Sequence, residues 1–466
     1  MDLSNLPRGA GTRRGGKSGK GAKIGKSAAA PEPAAQPAVW QPGDPLEEGE
    51  ELDFDPTAYD FLDRFTTEWP CLSFDFAMDG LGSGRTDFPH TVFMVGGTQA
   101  ENSGDNYLTL MKLANLNRLN KPKGEGSKME TETDAMEEDE SSDSEEEEDS
   151  SDEEVEESGA SVMHYRRVRH FTGVNRIRSM PQKSTMVAAW GERGNVQVFD
   201  MEAQMKDLVE EDVPILKVAN KILNKKAIFA HKHATEGFAL DWSGVVEGQL
   251  ASGDCRKNLH VWSPTEGGWN VSNPLRGHTK SVEDIQWSPS EATVLASGSV
   301  DKSIKIWDTR NSKGAMISVN AHETDVNVIT WSPLVTYMLA SGGDDGNMKI
   351  WDLRNFKEEA HVAQFKFHKE AVTSIEWSPH EGSMLASSGA DDQLVVWDLA
   401  LERDPEEEVQ LGPKTNAQVP EDLPPQVLFL HGGQSNIKEL HWHKQIPGVI
   451  GSTASDGFNI FKAANV

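Results

Sequence analysis

Three patterns in this 466-residue chain have the residue types and spacing of chemical sites. The first is GTRRGGKS, from Gly11 to Ser18, which fits the G-x-x-x-x-G-K-[S/T] pattern of a phosphate-binding loop. A working loop follows a strand and begins a helix, so that its backbone N–H groups face the phosphates. The flanking Gly/Lys-rich sequence predicts neither element. We therefore expect no cofactor and interpret the stretch as a basic nuclear or nucleolar address that can also contact RNA.

The second pattern pairs histidines that alternate along predicted strands, His231 with His233 and His441 with His443. Alternating side chains face the same side of a strand, so each pair could supply two nitrogen ligands to a metal ion. Because no cysteine or carboxylate set completes either site, we expect no metal. No nucleophile with a suitable base and oxyanion donors emerges either, and the chain is predicted not to be an enzyme.

The third pattern repeats along the chain. A histidine lies nine residues before an inner tryptophan four times, and strand-ending tryptophans recur at intervals of 45, 44 and 46 residues from Trp262 to Trp397. In WD-repeat proteins a histidine, a strand serine, a turn aspartate and the tryptophan form a buried hydrogen-bond chain, which is structural rather than catalytic. The matching sets are His278, Ser297, Asp301 and Trp307; His322, Ser341, Asp345 and Trp351; and His368, Ser387, Asp391 and Trp397.

The repeat and its fainter copies predict an all-β fold, a seven-bladed WD-repeat β-propeller over residues 69–463. The Trp262 unit has Arg256 where the turn aspartate is expected, so its hydrogen-bond chain should be degraded. Before the propeller, DPTAYDFLDRFTTEWP predicts a short amphipathic helix over 55–68, capped by Asp55. The strand CLSFDF is then expected to pair into the last blade and close the ring.

The net charge of −30 is concentrated in one segment, because Glu130 to Glu157 contains 18 acidic residues and no lysine or arginine. We predict that this insert, residues 125–160, is disordered and connects the first and second blades. Residues 1–45 form a second predicted disordered segment, which is basic and then rich in Ala and Pro. With no bilayer-length apolar run, no signal sequence and two cysteines, a soluble intracellular monomer without membrane contact is expected.

Several motifs resemble one family: YDFLDRFTTEWP, VNRIRSMPQ, EGFALDW, HTKSVEDIQW with IWDTR, and PPQVLFLHGG. Together they resemble the retinoblastoma-associated histone-binding WD-repeat proteins. The acidic insert, GEELDFDPTAY and HWHKQIPGVIGSTASDGFNIF are most similar to the glutamate-rich members of that family. The resemblance covers residues from about 47 to the C-terminus and implies two binding surfaces.

The first implied surface is a groove that receives a basic amphipathic helix, between the predicted N-terminal helix and an acidic Pro-Pro loop at residues 400–425. An apolar floor rimmed by carboxylates suits a helix that carries Lys and Arg beside an apolar stripe. The alternative is that the N-terminal helix only seals the side of the last blade. The matching positions are Tyr59, Phe61, Leu62, Phe65, Asp404, Glu406, Glu407, Glu408, Glu421, Asp422, Pro424 and Pro425.

The second implied surface is the mouth of the ring, where relatives bind basic peptides. Gly173 and Ala371 stand where the family has carboxylates, so this mouth is expected to be weaker or differently selective. The corresponding positions are Asn175, Glu236, Phe238, Glu283, Asp325 and Asn327.

The resemblance implies a nuclear and nucleolar chaperone of basic clients: a newly made large-subunit ribosomal protein, with pre-ribosomal particles, and core histones. An acidic arm suits such clients and repels nucleic-acid phosphates, so we expect no direct sequence-specific nucleic-acid binding. Three alternatives remain: the arm is a solubilising linker, the protein is a plain assembly scaffold, or the W-D-x-R sequences IWDTR and IWDLR make it a substrate receptor of a cullin-type ubiquitin ligase. Possible acidophilic-kinase sites that would deepen the arm's charge are Ser142, Ser144, Ser150 and Ser151.

Overall fold

The computed structural model describes residues 11–13, 52–119, 159–210, 222–311, 313–402 and 423–466. Seven four-stranded antiparallel blades form a ring, which confirms the predicted all-β seven-bladed propeller. Three strands precede blade 1: β1 (Gly11–Arg13), β2 (Leu52–Phe54) and β3 (Tyr59–Phe65). Blade 1 contains β4 (Cys71–Phe76), β5 (His90–Thr98), β6 (Asn106–Leu116) and β7 (Val162–His170). Blade 2 contains β8 (Val174–Met180), β9 (Lys183–Gly191), β10 (Asn195–Asp200) and β12 (Phe229–Lys232), while β11 (Ile222–Leu223) pairs in parallel with β7.

The next five blades follow the same order of strands. Blade 3 contains β13 (Ala239–Trp242), β14 (Leu250–Gly253), β15 (Leu259–Thr265) and β16 (Gly268–Val271). Blade 4 contains β17 (Val282–Trp287), β18 (Val294–Ser299), β19 (Ser303–Asp308) and β20 (Ile317–Asn320). Blade 5 contains β21 (Val326–Trp331), β22 (Met338–Gly343), β23 (Asn347–Asp352) and β24 (His361–Lys366). Blade 6 contains β25 (Val372–Trp377), β26 (Met384–Gly389), β27 (Leu394–Asp398) and β28 (Val427–His431), and blade 7 contains β29 (Glu439–Trp442), β30 (Val449–Ala454), β31 (Gly457–Ala463) and β3.

The described residues contain one α-helix, α1 (Glu202–Val209), which packs Met205 and Leu208 against the apolar core between blades 1 and 2. Short 3₁₀ turns occur at Pro56–Ala58, Ser103–Asp105 and Leu353–Asn355. Nowhere in the described ranges does a helix have the length and apolarity needed to cross a membrane.

Glycines on the second strands let neighbouring blades pack closely. A Cβ atom added to Gly298 would lie 2.9 Å from Val326 Cγ1 in the next blade, and one added to Gly342 would lie 2.6 Å from Val372 Cγ1. Gly253 meets Val282 of its following blade in the same way. The Gly-Val contact therefore sets the approach of one blade to the next, which explains why L-A-S-[GS] recurs at the repeat period.

The strand that closes the ring differs from the prediction. The helix predicted over 55–68 is wrong: only Pro56–Ala58 is helical, and Tyr59–Phe65 is a strand paired antiparallel with β31. Tyr59 and Phe61 are buried at strand spacing, and Phe65 also faces the core. The apolar positions fit either periodicity over so few residues, and the open edge of β31 favours the strand. CLSFDF was also misplaced, because it forms β4, the innermost strand of blade 1.

The acidic insert is also placed differently. Its flanking strands β6 and β7 pair with each other from Asn106↔His170 to Ala114↔Val162, so the segment connects two strands of blade 1 rather than two blades. Residues 120–158 themselves lie outside the described residues, as do the candidate phosphorylation sites Ser142, Ser144, Ser150 and Ser151. In the tail 1–45, β1 pairs with β2 and lies inside the phosphate-loop pattern, while the rest of the tail lies outside the described residues.

Two of the three predicted hydrogen-bond chains form completely. Ser297 Oγ lies 2.7 Å from His278 Nε2 and accepts the Trp307 N–H at 2.8 Å, and Asp301 lies 3.0 Å from His278 Nδ1. The His368 set repeats these contacts. In the third set Ser341 joins His322 and Trp351, but Asp345 pairs with Asn347 and His322 Nδ1 has no hydrogen-bond partner.

The Trp262 unit is complete rather than degraded. His233 lies 2.8 Å from Ser252 Oγ, and Trp262 donates to the same oxygen at 2.9 Å. Asp254, two residues before Arg256, supplies the carboxylate at 3.3 Å from His233 Nδ1. A neighbouring position of the same turn thus replaces the expected aspartate, which spacing alone does not reveal.

Candidate functional site

The two ends of the ring carry different connections. In a four-stranded meander, the turns after the first and third strands lie at one end, and those after the second and fourth lie at the other. We call the second of these the mouth end, because the innermost strands begin there, and the first the acidic end. The innermost strands β4, β8, β13, β17, β21, β25 and β29 contact one another in sequence, and β29 contacts β4, so they enclose a central channel.

The predicted mouth residues lie where four innermost strands begin. Asn175 donates to the Gly237 carbonyl at 3.3 Å and accepts from Gln99, which ties it to the neighbouring blades. Asn327 donates to Asp344 at 3.0 Å, while Glu236 is exposed and Phe238 half-buried. Burial, opposed by a hydrogen bond from Ser281 and the charge of Arg176, raises the pKa of Glu283, and the charge of Asp325 adds to the increase. The structure therefore brings Glu283 and Asp325 together as neighbouring acids at this end.

A polar cavity of about 400 Å³ occupies the channel toward the acidic end. Three carboxylates in its wall accept backbone N–H groups of the following blade: Asp75 from Ser179 at 2.8 Å, Asp241 from Trp287 at 2.7 Å and Glu376 from Trp442 at 2.9 Å. Burial raises the pKa of Asp241 to about 7. These side chains join adjacent blades through the channel wall, so they stabilise the ring as well as line the cavity.

A charge cluster crosses the channel where the ring closes. Glu439, on blade 7, is 1% exposed and lies 2.5 Å from Arg176 Nη1 and 2.7 Å from Arg178 Nη2, both on blade 2. Its second oxygen accepts the Phe74 N–H of blade 1 at 2.9 Å. Burial alone would raise the pKa of Glu439, but the charges of Arg178 and Arg176 outweigh burial and hold it well below its usual range. One carboxylate therefore links three blades.

His441 extends this cluster and predicts a pH dependence. Burial lowers its pKa, but the charge and hydrogen bond of Glu376, 2.9 Å from Nδ1, and the contact with Glu439 raise it to about 9. Since the folded pKa exceeds that of the unfolded chain, the stabilisation is fully present below about pH 6.5 and is lost as the pH rises through 9. We expect the difference in unfolding free energy between the wild type and His441→Asn to shrink between pH 6.5 and 10, as measured by urea denaturation. An unchanged difference across this range would contradict the assignment.

The predicted groove is only partly supported. Tyr59, Phe61 and Phe65 are buried in blade 7 and its contacts, so they form core rather than a groove floor, and Leu62 alone of this set is partly exposed. Pro424 is half-buried and Pro425 exposed, and Val427 N–H donates to the Pro424 carbonyl just before β28. The acids Asp404, Glu406, Glu407, Glu408, Glu421 and Asp422 lie outside the described residues.

A partly exposed apolar stripe nevertheless lies on the flank of blades 6 and 7. It consists of Phe54, Leu62, Leu119, Leu428 and Phe429, all packed against the core of these two blades. β3 and β28 meet beneath it, where the Tyr59 and Phe429 rings are 5.1 Å apart. The stripe is the apolar surface nearest to the Pro-Pro loop.

Both acidic segments begin at the same end of the ring. The first leaves after Leu119, whose N–H donates to the Asp60 carbonyl of β3, and returns at Gly159, whose carbonyl accepts from Asn117 Nδ2. The second, residues 403–422, leaves after β27 and returns before β28. Each joins the third and fourth strands of its blade, so both are anchored at the acidic end, close to the stripe.

The histidine pairs do not form a metal site. His260 joins His231 and His233 in a cluster with ring centroids 4.8 to 5.2 Å apart, but both nitrogens of His233 contact Ser252 and Asp254. His441 belongs to the charge cluster, and His443 Nδ1 accepts two backbone N–H groups. Within the part of the chain that the structure describes, no group of three or more ligand side chains could hold a metal ion.

The two W-D-x-R arginines are presented to solvent on consecutive blades. Arg310 contacts Asp308 through two nitrogens and Arg354 contacts Asp352 in the same way, with side chains 75% and 65% exposed. Arg354 also stacks 3.8 Å from the Tyr337 ring centroid. Sequence reasoning found these arginines, but it missed Glu439, Arg176 and Arg178. The available signal was three charged residues on innermost strands, where apolar or small residues are expected.

Comparisons with known proteins agree with this architecture. Residues 49–117 match the family model for the histone-binding protein RBBP4 or its counterpart in the CAF1 complex, and residues 269–308, 315–352 and 359–398 match the WD domain, G-beta repeat. The chain is 51% identical to the glutamate-rich WD repeat-containing protein 1 of Dictyostelium discoideum, over 92% of this chain and 85% of the relative. It is 48% identical to the Arabidopsis thaliana protein HEAT STRESS TOLERANT DWD 1, over 92% of each. It is 39% identical to the ribosome assembly protein rrb1 of Schizosaccharomyces pombe, over 91% of this chain and 84% of that one.

Proposed function

Because the chain belongs to the family of glutamate-rich WD repeat-containing proteins, we propose that it is a non-enzymatic chaperone and scaffold of basic proteins in ribosome biogenesis. Its proposed main client is a newly made large-subunit ribosomal protein, and core histones are a second client class. The related ribosome assembly protein and the matched histone-binding family model support this assignment. A nuclear and nucleolar location follows from the same proposal.

The observation that carries the proposal is the common origin of two acidic segments. Eighteen acids between Glu130 and Glu157 and six more in residues 403–422 belong to segments that are anchored at the acidic end, near the apolar stripe. A polyanion neutralises a basic client through many weak contacts that salt screens, whereas an apolar surface adds a contact that survives salt. The combination masks a client's charge and still selects among basic proteins.

The test compares the full chain with a variant in which residues 130–157 are replaced by a Gly/Ser segment of equal length. Purified core histones and a purified large-subunit ribosomal protein are titrated at about 0.1 M and about 0.5 M salt, where screening lengths differ about two-fold. We expect the replacement to weaken binding by at least about ten-fold at low salt and much less at high salt. Equal affinities at low salt would reduce the protein to a plain scaffold.

The groove is tested separately by charge reversal. Changing Asp404, Glu406, Glu407 and Glu408 to lysine should weaken client binding at low salt, because like charges then face the client. Unchanged binding would reject the Pro-Pro loop as a client site. Binding by dephosphorylated and phosphorylated protein is compared in the same assay, since phosphates on Ser142, Ser144, Ser150 and Ser151 are proposed to tighten it.

A second candidate function rests on Arg310 and Arg354. Their fixed and exposed guanidinium groups would suit an adaptor of a cullin-type ubiquitin ligase. Affinity purification from cells separates the two proposals. A stoichiometric cullin adaptor without ribosomal protein or histone would favour the receptor, and recovery of basic clients without an adaptor would favour the chaperone.

A further inference from the structure

The turn between β4 and β5 holds an unusual apolar projection at the acidic end. Met78 and Leu81 are 37% and 59% exposed, and both lie on the segment that connects these strands. Scattered exposed apolar residues are normal on protein surfaces. Here, however, the segment that presents them is fixed by buried polar groups, so its shape is maintained in solution.

Gln445 of blade 7 fixes the segment. This side chain is 4% exposed; its Oε1 accepts the Asp79 N–H at 2.9 Å, and its Nε2 donates to the carbonyls of Asp79 and Gly82 at 3.0 and 3.2 Å. The Gln445 carbonyl accepts the N–H groups of Gly84 and Arg85. Gly82 and Gly84 have φ of 96° and 74°, which L side chains rarely adopt.

Other contacts hold the segment from both sides. Arg85 Nη2 lies 2.9 Å from Asp79 Oδ2, whose side chain is almost fully buried, and Ser184 of blade 2 donates to the Met78 carbonyl at 2.7 Å. Leu81 N–H donates to Asp79 Oδ1 at 2.9 Å. A leucine held in this way loses little conformational entropy when a partner buries it, so more of its transfer free energy is available for binding.

The segment also touches the root of the first acidic segment. The Arg118 guanidinium lies 5.9 Å from the Phe88 ring centroid, and residue 119 is the last before that acidic segment. Arg118 is paired with Asp60 and Arg85 with Asp79, so both cations have a carboxylate partner and do not make this surface strongly positive. A basic partner drawn to the acidic segments therefore meets an apolar side chain at their base.

We propose that Met78 and Leu81 form an apolar anchor for the client, and that the bound client segment places an apolar side chain among lysines and arginines. The anchor rests on the proposed function, because it assumes a basic client. It contributes the part of the affinity that salt does not screen. It is distinct from the apolar stripe, since it lies on the turn after β4 and not on β3 or β28.

The experiment uses the full chain with Leu81→Ser, and it measures binding to purified core histones at about 0.5 M salt. We expect about a ten-fold loss of affinity, typical of removing one anchor side chain, and an unchanged thermal transition, because Leu81 is exposed. The matched control is Val362→Ser on β24, which is 61% exposed on the outer strand of blade 5 and should bind like the wild type.

A second variant, Gln445→Leu, releases the segment while Leu81 stays in place. It should weaken high-salt binding as well, because the anchor is no longer held in position. If the wild type binds histones and Leu81→Ser binds equally well, the anchor is wrong and the proposed function stands. If the wild type binds no basic protein, the proposed function fails and the anchor falls with it.

Discussion

Replacing Glu439 with alanine is expected to lower the free energy of unfolding by about 3–5 kcal/mol, because two guanidinium groups lose their shared carboxylate. Arg176 and Arg178 are only 17% and 16% exposed, so water replaces that partner poorly. The substitution also removes the acceptor of the Phe74 N–H. Urea denaturation of the full chain, followed by tryptophan fluorescence, measures the change.

Two further variants control this result. Glu439→Gln keeps the size and an acceptor but not the charge, and should fall between the wild type and the alanine variant. Glu266→Ala removes an exposed carboxylate between β15 and β16 and should change stability by no more than about 0.5 kcal/mol. A loss below about 1 kcal/mol for Glu439→Ala would show that the charge cluster does not hold the ring together.

Tyr59→Ala is expected to cost about 3–5 kcal/mol, the range for removing a large buried aromatic side chain. Tyr59 is buried where the closing strand β3 meets β28 of blade 6, with the rings of Phe54, Phe429 and Phe461 5.1 to 5.9 Å away. The alanine variant leaves a cavity at the point where the ring is closed. Limited proteolysis should then cleave before residue 71 sooner than in the wild type, and denaturation should give the loss in free energy.

Tyr59→Phe separates the ring from its hydroxyl. The hydroxyl lies 2.9 Å from His431 Nδ1, and burial lowers the pKa of His431 to about 3, so the hydrogen bond joins two neutral groups. Its loss should cost about 1 kcal/mol. A cost for Tyr59→Phe equal to that of Tyr59→Ala would mean that the aromatic packing contributes little.

Both predictions concern the same joint, where the first strand of the propeller pairs with the last. In a ring of repeats, each blade contacts only its neighbours, and closure removes the two exposed edges. The acidic segments and the apolar stripe are anchored beside this joint. Variants that open it should therefore disturb client binding as well as stability, whereas Leu81→Ser should affect binding alone.

Sequence periodicity determined much of the architecture. The interval between Trp262, Trp307, Trp351 and Trp397, with a histidine at a constant offset, was sufficient for seven blades and for the complete His278 and His368 sets. Composition located the acidic insert. These signals are local, because each repeat builds one blade from contiguous residues whose hydrogen bonds stay within about 45 positions.

Only the tertiary structure decided the features that depend on distant partners. Tyr59–Phe65 is a strand because β31, about 400 residues later, offers it an open edge, and a short apolar pattern does not distinguish this strand from a helix. Glu439 meets Arg176 and Arg178 across the channel, and the pairing of β6 with β7 roots the acidic insert within blade 1. No local pattern contains such contacts, since they arise when the closed ring brings its first and last blades together.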